Sequence, residues 1–435
     1  MRVLMKKLIL LLALTGVFLP YMALAEDLIK QGETLDLQQC IDIALKNHPA
    51  ILAAAHTLRA GESRVGQARS GYYPQVSGNV IYNRISPYET SSGGRLAPDD
   101  KGAYDVTNSM IALRQNLFDF GKTAAQVRIQ SLNLDSSRAD FNDVNSQVIF
   151  AVKQAYYELL RTKRNQDVAR EVVGQYEHHL MQAKAFFEIG TKPKFDITKA
   201  EVDLSNAKLN LLKAENAFRV ARVTLNNALG LPKAPDFEIQ DSLAFQRAEV
   251  DLDEALKKAY ERRPDLQSII VKEKALDETI ALQKKGYYPD LTGDAFYGWG
   301  GNSFPLDHGW TVGATLNVPL FSGLSTKYQV NEARANLAVL KANEEALRQS
   351  IYLEVKQAWL NLQEADDRIV TAEISVRQAE ENLELANGRY ASGVGSPIEV
   401  TDALVAESNA KTSYIAALYD YKVSQAKMDK ATGEK

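Results

Sequence analysis

Trp310-Thr311-Val312-Gly313-Ala314-Thr315-Leu316-Asn317-Val318-Pro319-Leu320-Phe321 alternates between apolar residues and polar or small ones up to its proline. That period of two predicts a strand over 309–321 with one apolar and one polar face. A weaker alternation over 290–299 supplies its partner. Beyond the strands, Thr326 to Ser392 contains no proline and a single glycine, Gly388. A helix over 324–392 is predicted, on the order of 100 Å long at ~1.5 Å per residue. Its 3,4-spaced positions Val355, Ala358, Leu362, Ala365, Ile369, Ala372, Val376, Ala379, Leu383, Ala386 and Tyr390 form a heptad seam of alternating large and small residues. The alanines let a neighbouring helix approach closely. A turn at 393–397 leads to a returning helix over 397–432. No globular core requires so long a helix; the pattern is a strand pair on an antiparallel coiled coil.

The same plan stands earlier in the chain. Gly71-Tyr72-Tyr73-Pro74 returns as Gly286-Tyr287-Tyr288-Pro289, displaced by 215, and Val152-Lys153-Gln154-Ala155 returns as Val355-Lys356-Gln357-Ala358, displaced by 203. The loss of length falls in the Gly/Ser/Pro/Asp-rich connection at 86–103, where length is least constrained. A repeat this long implies two equivalent structural units. The first covers 26–248, with strands at about 75–85 and 104–118, a long helix over 122–189 and a return helix over 193–230. The second covers 249–435. The first copy's seam, Val152, Ala155, Leu159, Thr162, Gln166, Ala169, Val173, Tyr176, Leu180, Ala183 and Phe187, is the more polar one. Each unit opens with a helix broken at Pro49 or Pro264. Pro74, Pro289 and Pro319 are expected to bend the chain between helix and strand.

Residues 1–25 read as a secretory signal peptide. Arg2, Lys6 and Lys7 precede the apolar run Leu8 to Leu14, and Ala23-Leu24-Ala25 gives the small-x-small cleavage site. The expected mature start, Glu26, is not a cysteine, which argues against lipid attachment there. Cys40 is the one cysteine, so no internal disulfide forms. A net charge of −4 over 435 residues leaves no basic patch for nucleic acid. After the signal no apolar stretch is long enough for a transmembrane helix. Membrane contact therefore falls to the strands. Four strands cannot close a barrel, since about eight are the minimum, and open edges are not tolerated in lipid. Several chains must share one barrel, and three is the smallest number that leaves room for water.

Leu35-Asp36-Leu37 through Asn47-His48-Pro49, the junction Leu117-Phe118-Asp119-Phe120-Gly121, and Arg389-Tyr390-Ala391-Ser392-Gly393 leading to Glu399-Val400 together resemble the TolC-type outer membrane efflux proteins, or outer membrane factors. The resemblance runs over essentially the whole mature chain. It implies a mainly α fold with a small membrane β part: a long antiparallel coiled-coil barrel continuous with a 12-stranded β-barrel, built by a homotrimer with four strands per chain. It also implies a channel in the cell outer membrane that extends into the periplasm. That channel would dock onto a periplasmic adaptor (membrane fusion protein) and an inner-membrane pump or ABC exporter, as in tripartite efflux or type I secretion.

Candidate site residues gather at the far end of the long helices. Glu399 and Asp402 lie at i, i+3 on one helical face. Ser396-Pro397-Ile398-Glu399 is also a capping box, which accounts for Glu399 without a channel role, and Asp402 can equally be a solvated acid. By the resemblance, both match an acidic constriction at the periplasmic gate. Such a ring would raise some carboxylate pKa values and attract cations. The first copy has Asp196 and Lys199 at the matching places. The resemblance pairs Asp196 with Tyr390 as a contact that locks the gate; an arginine that some members place in this lock is Gly395 here. Gly190, Thr191, Gly393 and Val394 match the adaptor-facing tips, and Gly190 and Gly393 also suit ordinary helix C-caps. Tyr72, Tyr73, Phe118, Tyr287, Tyr288 and Phe321 fit an interfacial aromatic belt or packing between barrel and tunnel.

No catalytic constellation emerges and no cofactor is implied. The histidines lack metal-ligand spacing, and His178 and His179 point to different helix faces. Gly393-Val394-Gly395 follows no strand and reads as a turn, not a dinucleotide loop. The competing function class is a membrane-anchored trimeric coiled-coil protein, structural or adhesive, with no open tunnel. Drugs, metal ions and secreted proteins all suit a generic tunnel, so the residues name no substrate.

Overall fold

The computed structural model describes residues 29–86, 103–247 and 250–434. The expected signal peptide and most of the 86–103 connection lie outside the described residues. The chain opens with β1 (Thr34–Leu35), α1 (Leu37–Asn47) and α2 (Pro49–Arg69), then β2 (Gln75–Ile85), β3 (Tyr104–Phe118), α3 (Lys122–Glu188) and α4 (Lys194–Ala228). β4 (Glu238–Ile239) follows, then α5 (Leu252–Arg262), α6 (Pro264–Lys284), β5 (Asp290–Gly301), β6 (Asp307–Asn317), α7 (Ser325–Ala391) and α8 (Pro397–Thr432).

Local chemistry sets the boundaries. Asp36 and Gln39 close a reciprocal capping box at the start of α1, both bonds being 2.8 Å. Pro49 and Pro264 hold the preceding residues, His48 and Arg263, in extended backbone, so each proline ends one helix and opens the next from its first position. β6 stops at Asn317, short of the expected 321, because Pro319 has no N–H to continue the ladder. β5 runs on to Gly301, past the expected 299.

The four long strands form one antiparallel sheet in the order β2-β3-β5-β6. Register places Val76, Leu113, Ala295 and Val312 in one row, with Ile111, Tyr297 and Trp310 in the next row on the same face. The opposite face carries Gln75, Arg114, Asp294 and Gly313, where Arg114 pairs with Asp294 at 2.9 Å. The apolar face is uncovered in a single chain: Trp310 is 74% exposed and Val312 69%. Among the described residues no helix is long and apolar enough to cross a membrane. This sheet face is the chain's broad apolar surface.

Below the sheet, α3 and α7 each run 67 residues, about 100 Å. Near the sheet the helices lie side by side as α2, α3, α6 and α7; farther away the order is α4, α3, α8 and α7. Buried Val355, Ala358, Leu362, Ala365, Ile369 and Ala372 hold α7 against α8, as its heptad spacing predicts. Where the two levels meet, residues 231–247 and 250–251 cross the bundle as a strap, and β1 pairs in parallel with β4. Cys40, Tyr156, Leu160 and Leu225 form the core beneath it. Burial, and secondarily the Asp36 charge, pushes the Cys40 thiol up to about 12, leaving it inert.

Candidate functional site

At the end remote from the sheet, both hairpins turn on glycines in the left-handed region. Gly190 has φ +77 and Gly393 φ +81, conformations that cost a residue with a Cβ. Paired backbone bonds close both helix ends: Gly190 N–H to Phe187 O and Thr191 N–H to Phe186 O, matched by Gly393 to Tyr390 and Val394 to Arg389. In the second hairpin Gly395 also donates to Arg389 O at 2.8 Å. A Cβ on Gly395 would lie 2.8 Å from Tyr390 N and 2.9 Å from Arg389 C, which excludes any larger residue in this backbone. The positive charges here are supplied by Arg389 and Lys192 instead.

Ser396 caps α8, and Glu399 returns to the Ser396 N–H at 3.3 Å, completing the box. The other oxygen of Glu399 accepts from Arg389 Nε at 3.0 Å. Arg389 first, then the Ser396 N–H, hold the Glu399 carboxyl below its ordinary range. Asp402, one turn on, is exposed on the same side of α8. Glu399 is thus a cap and an ion-pair partner, whereas Asp402 has no ion-pair partner among the described residues.

Asp196 is only 5% exposed and Tyr390 is fully buried. The two sit near enough for the Asp196 charge to act with burial in raising the Tyr390 phenol, yet the hydroxyl has no hydrogen-bond partner among the described residues. Lys192 ties the hairpins together: its Nζ donates to Gly395 O at 3.4 Å and lies 5.5 Å from the centre of the Tyr390 ring. The tip core is contributed by all four helices, with Tyr176 from α3, Ala207 from α4, Leu383 and Ala386 from α7, and Val400 and Leu404 from α8.

Sequence reasoning missed His179. The expected seam of α3 includes Tyr176 and Ala183, which are buried, and also Leu180 and Phe187; the helix buries His179 beside the first two and leaves Phe187 43% exposed. The adjacent His178 is exposed. His179 follows Tyr176 by three residues and precedes Ala183 by four, so it shares their helical face; that spacing was the available signal.

At the sheet end, Pro74 and Pro289 each separate a one-turn helix from a strand, and Pro319 lies past the end of β6. Phe118, Phe120 and Tyr288 pack on one another with centroids 4.7 and 5.4 Å apart. Lys285 of the second copy donates to Phe120 O at 2.9 Å, and Lys122 of the first to Tyr288 O at 3.2 Å, so the two junctions are cross-tied.

The outer membrane efflux protein family model matches residues 40–231 and 255–434. Outer membrane protein TolC of Vibrio cholerae is 23% identical over 410 residues, covering 92% of this chain and 90% of its own. Protein CyaE of Bordetella pertussis is 26% identical over 388 residues, covering 85% and 78%. Among solved structures, the CmeC outer membrane channel of Campylobacter jejuni superposes with a TM-score of 0.78 at 18% identity, covering 91% of this chain and 85% of its own. A small sheet with one apolar face, continuous with a bundle of very long helices, defines a TolC-like outer-membrane protein. The chain belongs to the outer membrane efflux protein family.

Proposed function

We propose that three copies of this chain associate head to tail into a passive export duct through the outer membrane. The observation that carries this reading is a pair of open edges on matching sides of the two layers. The sheet ends in β2 on one side and β6 on the other, and the bundle ends in α4 and α7. On α4, Phe195, Val202 and Leu209 form an uncovered stripe at heptad spacing; on α7, Leu353, Leu360 and Ile374 do the same. Because strand direction alternates across the sheet, β6 of one chain can pair antiparallel with β2 of the next. Head-to-tail contacts of this kind close into rings. Three chains would give twelve strands around water, with their apolar faces toward lipid.

In this duct the hairpin tips form the periplasmic mouth. Glu399 and Asp402 line its acidic constriction, Asp196 and Tyr390 hold neighbouring coils together at rest, and Gly190, Thr191, Gly393 and Val394 meet a periplasmic adaptor. An inner-membrane pump or ABC exporter supplies energy and selects the substrate, in tripartite efflux or type I secretion. The chain itself performs no catalysis.

Cysteines replacing Leu209 and Ile374, one on each edge helix, test the assembly. Oxidation should give a covalent trimer on a denaturing gel and no larger species, and the purified protein should conduct ions in a planar bilayer. Covalent dimers alone, or an unlimited ladder, would overturn the closed trimer.

A further inference from the structure

We infer that His179 is a proton-operated release for the closed tip, an inference that rests on the channel reading above. Its ring is 2% exposed, and neither nitrogen has a hydrogen-bond partner among the described residues. It lies against Tyr390, centroids 5.0 Å apart, at the point where α3 meets α7. Beside it a groove of about 350 Å³, lined by Gln175, Gln182 and Asn387 among others, opens to solvent. Water and protons therefore have a short path to a ring that is built in as neutral.

The surrounding charges come from every element of the tip. On α3 the neighbour is His178, with Glu171 in the groove wall. From α4 come Asp196, Lys199 and Asp203. Lys199 already holds Asp203 at 2.6 Å. From α7 comes Tyr390, with Lys192 over its ring, while α8 offers apolar Val400 and Leu404 to the groove and places Asp402 beside Tyr176. Burial dominates and lowers the imidazole's proton affinity; Asp203 and Asp196 oppose it, and His178 and Lys199 add to it. An arriving proton can be compensated by water from the groove or by the carboxylates of α4, Asp203 drawn from Lys199 or Asp196 drawn from beside Tyr390. Both routes loosen the same four-helix contact.

The sign follows from the depressed affinity. A hydrated imidazole titrates near pH ~6.5, and the closed tip titrates lower. Closure is therefore at full strength above that value and weakens as pH falls through the window between the two. Within it the ratio of open to closed tips changes by up to about tenfold per pH unit.

Two measurements on the full-length assembled protein decide this. Histidine C2 hydrogen–deuterium exchange, read by mass spectrometry, should show His179 titrating below the hydrated imidazole value of about 6.5. Bilayer recordings should show open probability rising several-fold from about pH 7.5 to about 5.5, a rise absent in His179→Leu and His179→Gln. His179 titrating at or above about 6.5, or an acid response unchanged in His179→Leu, overturns the inference, and the exchange result stands even if both variants fail to assemble. Conductance that ignores pH sinks the switch while leaving the channel intact. Absence of any conductance would remove both.

Discussion

Tyr156 and Trp359 occupy equivalent places in the two copies, and both donate to the backbone of the strap that crosses the bundle. Tyr156 Oη reaches Gln240 O at 2.6 Å, and Trp359 Nε1 reaches Val250 O at 2.9 Å. The duplicated coils thus hold the strap between the two copies through matching side chains. Tyr156→Phe keeps the ring and removes a part-buried hydrogen bond, a loss of about 1 kcal/mol. A lowered melting temperature, with proteolysis appearing first between residues 231 and 251, is the expected outcome.

Gly395 tests how tightly the second hairpin is folded. Its missing Cβ would sit 2.8 Å from Tyr390 N, and the contacting atoms are backbone that cannot swing aside. Gly395→Ala should therefore cost about 1–3 kcal/mol, as overpacking does. The damage should be local, with faster protease nicking near the tip and little change at the strap. Gly388→Ala, where nothing lies within 4 Å, is the control and should be neutral or slightly stabilising.

Tyr390→Phe separates packing from locking. The hydroxyl is buried without a partner among the described residues, so its removal should not destabilise the chain and can stabilise it by about 1 kcal/mol. If Asp196 and Tyr390 hold the proposed gate, the same variant should raise resting conductance. A variant of wild-type stability and wild-type conductance would remove Tyr390 from the lock.

Legibility in the sequence tracked how far one face decided a segment. The strands near the sheet and the α7 seam were legible because alternation and heptad spacing each serve a single buried or lipid-facing surface. α3 was harder: near the tip it touches α4, α7 and α8 at once, and its core position passes from Leu180 to His179. A seam drawn for one partner cannot find a residue that packs among three. Arg389 was missed for another reason. It precedes the turn and Glu399 follows it, so only the folded hairpin brings them to 3.0 Å. The far end of β6 depended on Pro319, which sequence reading treated as a bend although it terminates the strand.

The two acids of the second hairpin should not be equivalent. Arg389 already neutralises Glu399, whereas Asp402 is exposed and has no ion-pair partner among the described residues. In bilayer recordings Asp402→Asn should reduce cation selectivity more than Glu399→Gln. Glu399→Gln also retains a group able to complete the capping box, so stability at neutral pH should hold. Because Glu399's carboxyl titrates below its ordinary range, its contribution is present above the ordinary glutamate value and fades as pH falls through the lowered one. Equal loss of selectivity in the two variants would show that the Arg389 pair opens in the assembly.

Lys411 carries the strongest test of what joins the two coils. Its ammonium lies 2.9 Å from Glu407 and 2.9 Å from Glu171, with Glu380 at 3.5 Å, and Gln175 adds a bond to Glu407 at 3.2 Å. α3, α7 and α8 therefore meet on one charge. The Lys411 and Glu407 side chains are 19% and 6% exposed, so desolvation is a large cost that mutual attraction must offset. Lys411→Met strands a buried carboxylate and should destabilise by about 3–5 kcal/mol, whereas Lys411→Met combined with Glu407→Leu should recover most of that loss. Urea titration of the four members of this cycle gives the coupling directly. If the double variant is no better than Lys411→Met alone, the joint is held by Glu171 across the coils and Glu380 on α7 rather than by the pair within α8.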